Sequence, residues 1–149
     1  MSPGCKFCRI VSGDLPASVV MEDEHCMAFL DNRPLFPGHC LLVPKLHIET
    51  FSDLSDDLLT PLFFNARLLS RAVEEGLAAD GTFLAINNKI SQSVPHLHVH
   101  VVPRRKKDGL KGFFWPRNPY RDEEHIKEVT ERLRAAVIRV RSGTGAARG

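Results

Sequence analysis

Long apolar runs are missing from this 149-residue chain. No stretch approaches the roughly 20 apolar residues that a bilayer-spanning helix needs, so the chain is not expected to cross a membrane. The opening Met1-Ser2-Pro3-Gly4-Cys5 lacks the basic flank and apolar core of a secretion signal, which points to the cytoplasm. A dominant charge is lacking too. With 20 Lys and Arg against 18 Asp and Glu the net charge is +2, too balanced for a protein that holds a nucleic-acid polymer through backbone electrostatics. There is no internal repeat. The cysteines number four, and in a reducing compartment they do not argue for a disulfide framework. Two of them form the pair Cys5-Lys6-Phe7-Cys8, a spacing that suits a metal or redox role. The composition, 43% hydrophobic and 26% charged, fits one globular domain. That domain is expected over residues 1 to 141, with the small-residue stretch 142 to 149 a disordered tail.

The feature that says most is His96-Leu97-His98-Val99-His100, running into Val101-Val102-Pro103. A β-strand sends successive side chains to opposite faces, so the three imidazoles would share one face while Leu97, Val99 and Val101 pack on the other. A single histidine on a strand is usually a half-exposed filler. Three in a row on one face reverse that expectation, because imidazole is the side chain suited to nucleophilic attack, proton transfer and metal ligation near neutral pH.

The elements around this strand can be placed from pattern. Residues 19 to 22 and 26 to 30 read as strands of a hairpin, and a loop punctuated by Pro34, Pro37 and Gly38 delivers His39 to a third strand at residues 40 to 44. Apolar residues recur at helical spacing between 55 and 76, including Leu58, Leu62, Ala66, Leu69 and Val73. Pro61 is awkward inside that helix, so its regular part is expected to begin with Thr60 as cap. Residues 82 to 88 and 96 to 102 read as an antiparallel pair of strands about a polar loop, and 122 to 139 as a second helix.

The His-φ-His-φ-His-φ-φ pattern of residues 96 to 102 resembles that of the histidine triad superfamily of nucleotide hydrolases and transferases. The likeness extends through Asp31, Pro37-Gly38-His39, Val43-Pro44-Lys45-Leu46-His47, Asn87 and Ser91-Gln92-Ser93. It implies an α+β fold: a five-stranded antiparallel sheet with one long helix and a C-terminal helix, paired as a homodimer. It also implies that His98 attacks the α-phosphorus of a bound purine nucleotide, with His100 and His39 completing the catalytic group. Chemistry supports the assignment independently, since a neutral imidazole is a good nucleophile and a nucleotidyl-imidazole is readily opened by water. Asp31 is implied to hold the ribose hydroxyls, Asn87 to lie near ribose and phosphate, and Gln92 and Ser93 to belong to the phosphate loop. Phe7, Ile10 and Phe29 would line the base pocket.

Cys5 and Cys8 supply half of a tetrahedral zinc site. The same resemblance, to members of bacterial type, implies that His47 and His96 complete it and that the Zn²⁺ is structural. Cys26 and Cys40 lie in apolar strands and read as core. Three alternatives stay open: a metal-free site, a hydrolase that uses the triad itself as zinc ligands, and a nucleotide sensor without turnover. Arg104-Arg105-Lys106-Lys107 reads as a solvated turn that could also draw in anionic nucleotides. Phe113-Phe114-Trp115 belongs to the segment that the resemblance places near the partner subunit's site, where it would help choose the leaving group.

Overall fold

Asp23 makes the first reversal of the chain. In the computed structural model, which describes residues 2–110 and 118–146, its Oδ1 accepts the backbone N–H groups of His25 and Cys26 at 2.8 and 2.7 Å, closing the turn between β1 (Val19–Glu22) and β2 (Cys26–Leu30). β3 (Cys40–Pro44) follows, then α2 (Asp56–Leu77), β4 (Gly81–Ala85) and β5 (Val99–Arg104), with a short α1 (Lys6–Val11) ahead of them all. The strands form one five-stranded sheet in the order β1-β2-β3-β5-β4. Every neighbouring pair is antiparallel, as the α+β reading expects.

All five residues of β3 are buried, because this strand is covered on both faces. On one side Ala28, Leu42, Leu97, Val99 and Val101 meet Leu62, Ala66, Leu69 and Val73 of α2, which recur at the spacing that puts them on one stripe of the helix. On the other side Met27, Phe29, Leu41 and Val43 meet Cys5, Phe7, Cys8 and Ile10 of α1. Buried Asn65 of α2 donates to Asp23 Oδ2 at 2.6 Å and ties the helix to the hairpin turn.

Several boundaries differ from expectation. α2 begins at Asp56 with Ser55 as its cap and carries Pro61 within it, so Thr60 is not the cap. Proline removes the N–H that would bond the Asp57 carbonyl, but Asp57 is exposed, which leaves that carbonyl to water. The acidic first turn of Asp56 and Asp57 favours the longer helix, since carboxylates complement the positive end of the helix dipole. The ladder of β5 starts at Val99 rather than His96, and β4 ends at Ala85. α1 was not anticipated at all: at six residues it is too short to show a period.

The chain over 1 to 141, expected as a single domain, comes in two compact units divided after Leu110. In the second, α3 (Glu123–Ala146) starts where Asp122 Oδ1 accepts the His125 N–H at 2.7 Å. It continues past 139, so residues 142 to 146 are helical and not a disordered tail. Within it Ser142 Oγ donates to the Ile138 carbonyl at 3.0 Å. The stretch 113 to 115 lies outside the described residues. Among the described residues no helix is long and apolar enough to cross a membrane.

Candidate functional site

The three triad imidazoles share one side of the sheet. His96 and His98 meet the ring of Phe7 at centroid distances of 5.9 and 5.1 Å, while His100 lies 5.0 Å from His98 and 5.2 Å from His39. The alternation predicted for a strand therefore holds through residues 96 to 98, although they precede the β5 ladder. Leu97 keeps this stretch extended by donating its N–H to the Ile48 carbonyl at 2.6 Å.

His39 reaches the group from the start of β3. The loop before it closes through the Asp31 N–H on the His39 carbonyl at 2.8 Å. Gly38 has a φ of 96°, a conformation that strains any side chain, and an added Cβ would collide with Leu77. Asp31 stands beside His39, its Oδ2 3.8 Å from Nε2.

Hydrogen-bond partners assign a tautomer to each ring. The Leu35 N–H donates to His39 Nδ1 at 3.1 Å, so the His39 proton is on Nε2, which faces His100 Nδ1 at 2.9 Å. His100 accepts there and carries its own proton on Nε2. His98 Nδ1 lies 2.7 Å from the His96 carbonyl oxygen, which can only accept, so His98 is protonated on Nδ1 and has its lone pair on Nε2. Burial, reinforced by the neighbouring His98 and His39, pushes His100 down to about 4. Burial also lowers His39, against the opposing pull of Asp31. At neutral pH both are uncharged, and the pair relays a proton direction without carrying net charge.

A cleft of about 660 Å³ is lined by Phe7, Ile10, Phe29, Leu41 and Asp31, and Phe7, which touches the His98 ring, links it to the triad. Four of the residues expected to hold a nucleotide thus meet in one place. Lys6 and Leu41, which sequence reasoning did not single out, join them; helical placement of the Cys-x-x-Cys pair would have pointed to Lys6. The phosphate-loop candidates sit elsewhere. Ser93 lines a second cavity of about 360 Å³ with Cys5, Lys6 and His47. Gln92 is engaged structurally, accepting the Lys89 N–H at 2.8 Å and donating to the Glu49 carbonyl at 2.6 Å. Asn87 is half-buried just beyond Ala85, the β4 residue paired with His100. Of the basic run, Arg104 is held by Asp108 at 2.6 Å, leaving Lys106 and Lys107 exposed.

The ligand atoms of Cys5, Cys8, His47 and His96 lie within 4.8 Å of one another. His96 Nδ1 is 3.4 Å from Cys5 Sγ and 3.6 Å from Cys8 Sγ, and His47 Nδ1 is 3.3 Å from Cys8 Sγ. Bonds of about 2.0 to 2.3 Å from zinc to nitrogen and sulfur give tetrahedral edges of roughly 3.3 to 3.8 Å, so these separations fit a shared cation. The tautomer fits as well. His96 Nε2 donates to the Pro44 carbonyl at 2.8 Å, which turns the Nδ1 lone pair toward the sulfurs. Burial raises the Cys5 thiol and lowers His96, so burial opposes charge on both of these ligands. Cys26 and Cys40 are buried in the α2-side core.

This arrangement of triad, cleft and Cys/His cluster can be set beside known proteins. The family model described as "HIT domain" matches residues 12–107. The chain belongs to the HIT family. It is 39% identical over 113 residues to Protein hit of Bacillus subtilis, covering 74% of this chain and 78% of that one. It is 31% identical over 134 residues to the adenosine 5′-monophosphoramidase hnt1 of Schizosaccharomyces pombe, covering 89% and 98%. Among solved structures, a zinc-bound histidine triad family protein from Mycobacterium smegmatis superposes with a TM-score of 0.69 at 39% identity, covering 94% of this chain and 97% of that one. The HIT match begins at residue 12, so α1 with Cys5, Phe7, Cys8 and Ile10 lies outside it.

Proposed function

We propose that this HIT protein is a nucleotidyl hydrolase or transferase that cleaves purine nucleoside phosphoramidates or dinucleoside polyphosphates at the α-phosphate. The observation that carries the reading is the His98 tautomer: its Nδ1–H is spent on the His96 carbonyl at 2.7 Å, so Nε2 holds the lone pair a nucleophile needs. In the first step Nε2 bonds to the α-phosphorus while the bond from phosphorus to the leaving nitrogen or oxygen breaks with its electron pair, a leaving nitrogen taking a proton from solvent as it departs. The His98 ring is then a nucleotidyl-imidazolium, and its Nδ1–H remains on the His96 carbonyl. His100 Nε2–H, oriented through His39, donates to a phosphate oxygen as charge develops. Water, or another acceptor, displaces the imidazole and restores it neutral.

Asp31 accepts hydrogen bonds from ribose and Phe7, Ile10 and Phe29 enclose the base; Gln92, held by the Lys89 N–H and the Glu49 carbonyl, shapes the 89–93 loop, and Asn87 and Ser93 are the side chains left to meet the phosphates. Zinc would be held by Cys5, Cys8, His47 and His96, four protein ligands that leave no open position, so it would serve structure rather than the chemical step. A triad-ligated zinc hydrolase is disfavoured, because His96 directs both ring nitrogens away from His98 and His100. Phe63, Phe64 and Leu68 are exposed on α2 and β4 is a sheet edge, a surface suited to a homodimer. A cytoplasmic location accords with the free thiols.

The test mixes the protein with adenosine 5′-phosphoramidate and, separately, a diadenosine polyphosphate, following AMP release and intact mass. Wild type is expected to release AMP and to show a trapped adenylyl adduct, and His98→Gly to lose turnover by at least about a thousandfold with the adduct absent. Equal release by both proteins overturns the nucleophile assignment. AMP binding without release from either substrate makes the protein a sensor.

A further inference from the structure

The same six-residue helix carries half of the Cys/His cluster and one wall of the nucleotide cleft. On α1 and its cap, Cys5 and Cys8 face His47 and His96, while Phe7 and Ile10 face the cleft. Phe7 is 4% exposed and makes a T-shaped contact with the ring of His98, with centroids 5.1 Å apart and planes at 84°. It packs against the ring of Phe29 at 5.4 Å. A helix this short does not persist on its own, since nucleation costs more than a single turn of hydrogen bonds returns. Its own backbone ties are local: Arg9 and Ser12 N–H bond the Cys5 and Cys8 carbonyls, and Leu15 N–H bonds the Arg9 carbonyl. What holds it to the sheet is side chains, namely the apolar set of Phe7, Ile10, Met27, Phe29, Leu41 and Val43 and the thiol–imidazole cluster.

We propose that occupancy of the Cys5/Cys8/His47/His96 centre sets the affinity of the cleft for nucleotide, by holding α1 so that Phe7 and Ile10 form its wall, with Phe7 the positioning residue. This rests on the nucleotide reading above. With the centre filled, the Cys-x-x-Cys turn is pinned to His96, two residues before His98, and the Phe7 ring is locked against the nucleophile's ring. With it empty, two buried thiols and two imidazoles hold α1 only through weak sulfur hydrogen bonds, and the wall loosens. Because affinities are linked, the coupling is reciprocal: nucleotide must tighten the metal by the same factor that metal tightens the nucleotide.

The experiment compares the full chain loaded with zinc, stripped by a chelator, and reloaded, with circular dichroism confirming that the sheet remains folded. AMP binding is read by calorimetry and zinc affinity by competition with a chromophoric chelator, with and without saturating AMP. The expected result is AMP bound at least about tenfold more weakly by the stripped protein, restored on reloading, and zinc tightened by the same factor in AMP. Phe7→Ala is expected to keep zinc, to weaken AMP binding, and to bind AMP with equal affinity whether loaded or stripped, while Phe7→Leu restores most of the coupling. Equal AMP affinity in loaded and stripped wild-type protein overturns the proposal. So does loss of the whole fold on stripping, which would make the centre a global staple, and so does failure of the protein to take up zinc. If the loaded protein binds no AMP, the nucleotide reading fails first and is recognised by that result alone.

Discussion

The two faces of the sheet are covered very differently. One is sealed by the 22 residues of α2, through an apolar cluster that includes Leu42 and Leu97 at 0% exposure. The other is covered by the six residues of α1, and three of its buried positions are histidines, His39, His96 and His98. Both faces are written in the same strands, on alternating residues. On the α2 side apolar burial supplies most of the cohesion, with the Asn65–Asp23 hydrogen bond beside it. On the α1 side much of the apolar area is replaced by imidazole and thiol, and cohesion depends on directed bonds: carbonyls of His96 and Pro44 fix two rings, and the cluster of Cys5, Cys8, His47 and His96 fixes the helix. Chemistry occupies the face that burial stabilises less.

The largest expected effect on stability falls on the α2 face. Leu42 is fully buried and pairs with Ala28 and Val99 in the strands beside it. Leu42→Ala removes three carbons from a close-packed site and is expected to cost about 2 to 5 kcal/mol in a urea titration, with zinc content and AMP affinity of the folded fraction unchanged. A cost below about 1 kcal/mol, or a change in AMP affinity at constant stability, would erase the division of labour between the faces.

The α1 face is expected to answer to acid instead. His100 is pushed down to about 4 in the fold by burial and by His98 and His39, whereas an unfolded histidine titrates near 6.5. As pH falls through the window from about 6.5 to about 4, the unfolded chain takes up a proton that folded His100 refuses, so stability declines across it and levels off below. His39, also lowered, adds in the same direction. His100→Gln removes one titrating group while keeping a side chain that can accept from His39 Nε2–H. Its urea midpoint is expected to fall less steeply than that of wild type between pH 7 and pH 4.5. Identical slopes would mean that His100 is not held neutral by its burial.

Much of this asymmetry could be read from the chain. The alternation of Leu97, Val99 and Val101 with the triad assigns the two faces, and the strands at Val19–Glu22, Cys26–Leu30 and Cys40–Pro44 fall where apolar runs meet turn residues. The grouping of Phe7, Ile10, Phe29 and Asp31 at one cleft, and of Cys5, Cys8, His47 and His96 at one cluster, followed only through resemblance, because those partners are distant in sequence. α1 escaped notice since its helical form is decided by capping at Cys5 and by its seat on the sheet rather than by local propensity. The tautomers were equally out of reach: each depends on a group such as the Leu35 N–H or the Pro44 carbonyl whose position only the fold supplies.

Pro61 gives the gentlest test of the contrast, because it perturbs α2 without touching the site. Local propensity favours a helix beginning after residue 60, yet α2 runs through Pro61 from Asp56, where the acidic first turn offsets part of the lost hydrogen bond. Pro61→Ala restores an N–H to bond the Asp57 carbonyl and removes the ring that crowds it. It also frees the unfolded chain, which returns part of the gain as entropy. The balance is expected to be a stabilisation of about 1 kcal/mol, less than the roughly 3 kcal/mol a proline costs deep in a helix, because this one stands near the N-terminal end. It should appear as a rise in the thermal midpoint with AMP and zinc affinities unchanged. If Pro61→Ala destabilises the protein, the ring of this half-buried proline contributes packing that the helix needs, and the α2 face depends on more than its stripe of leucines.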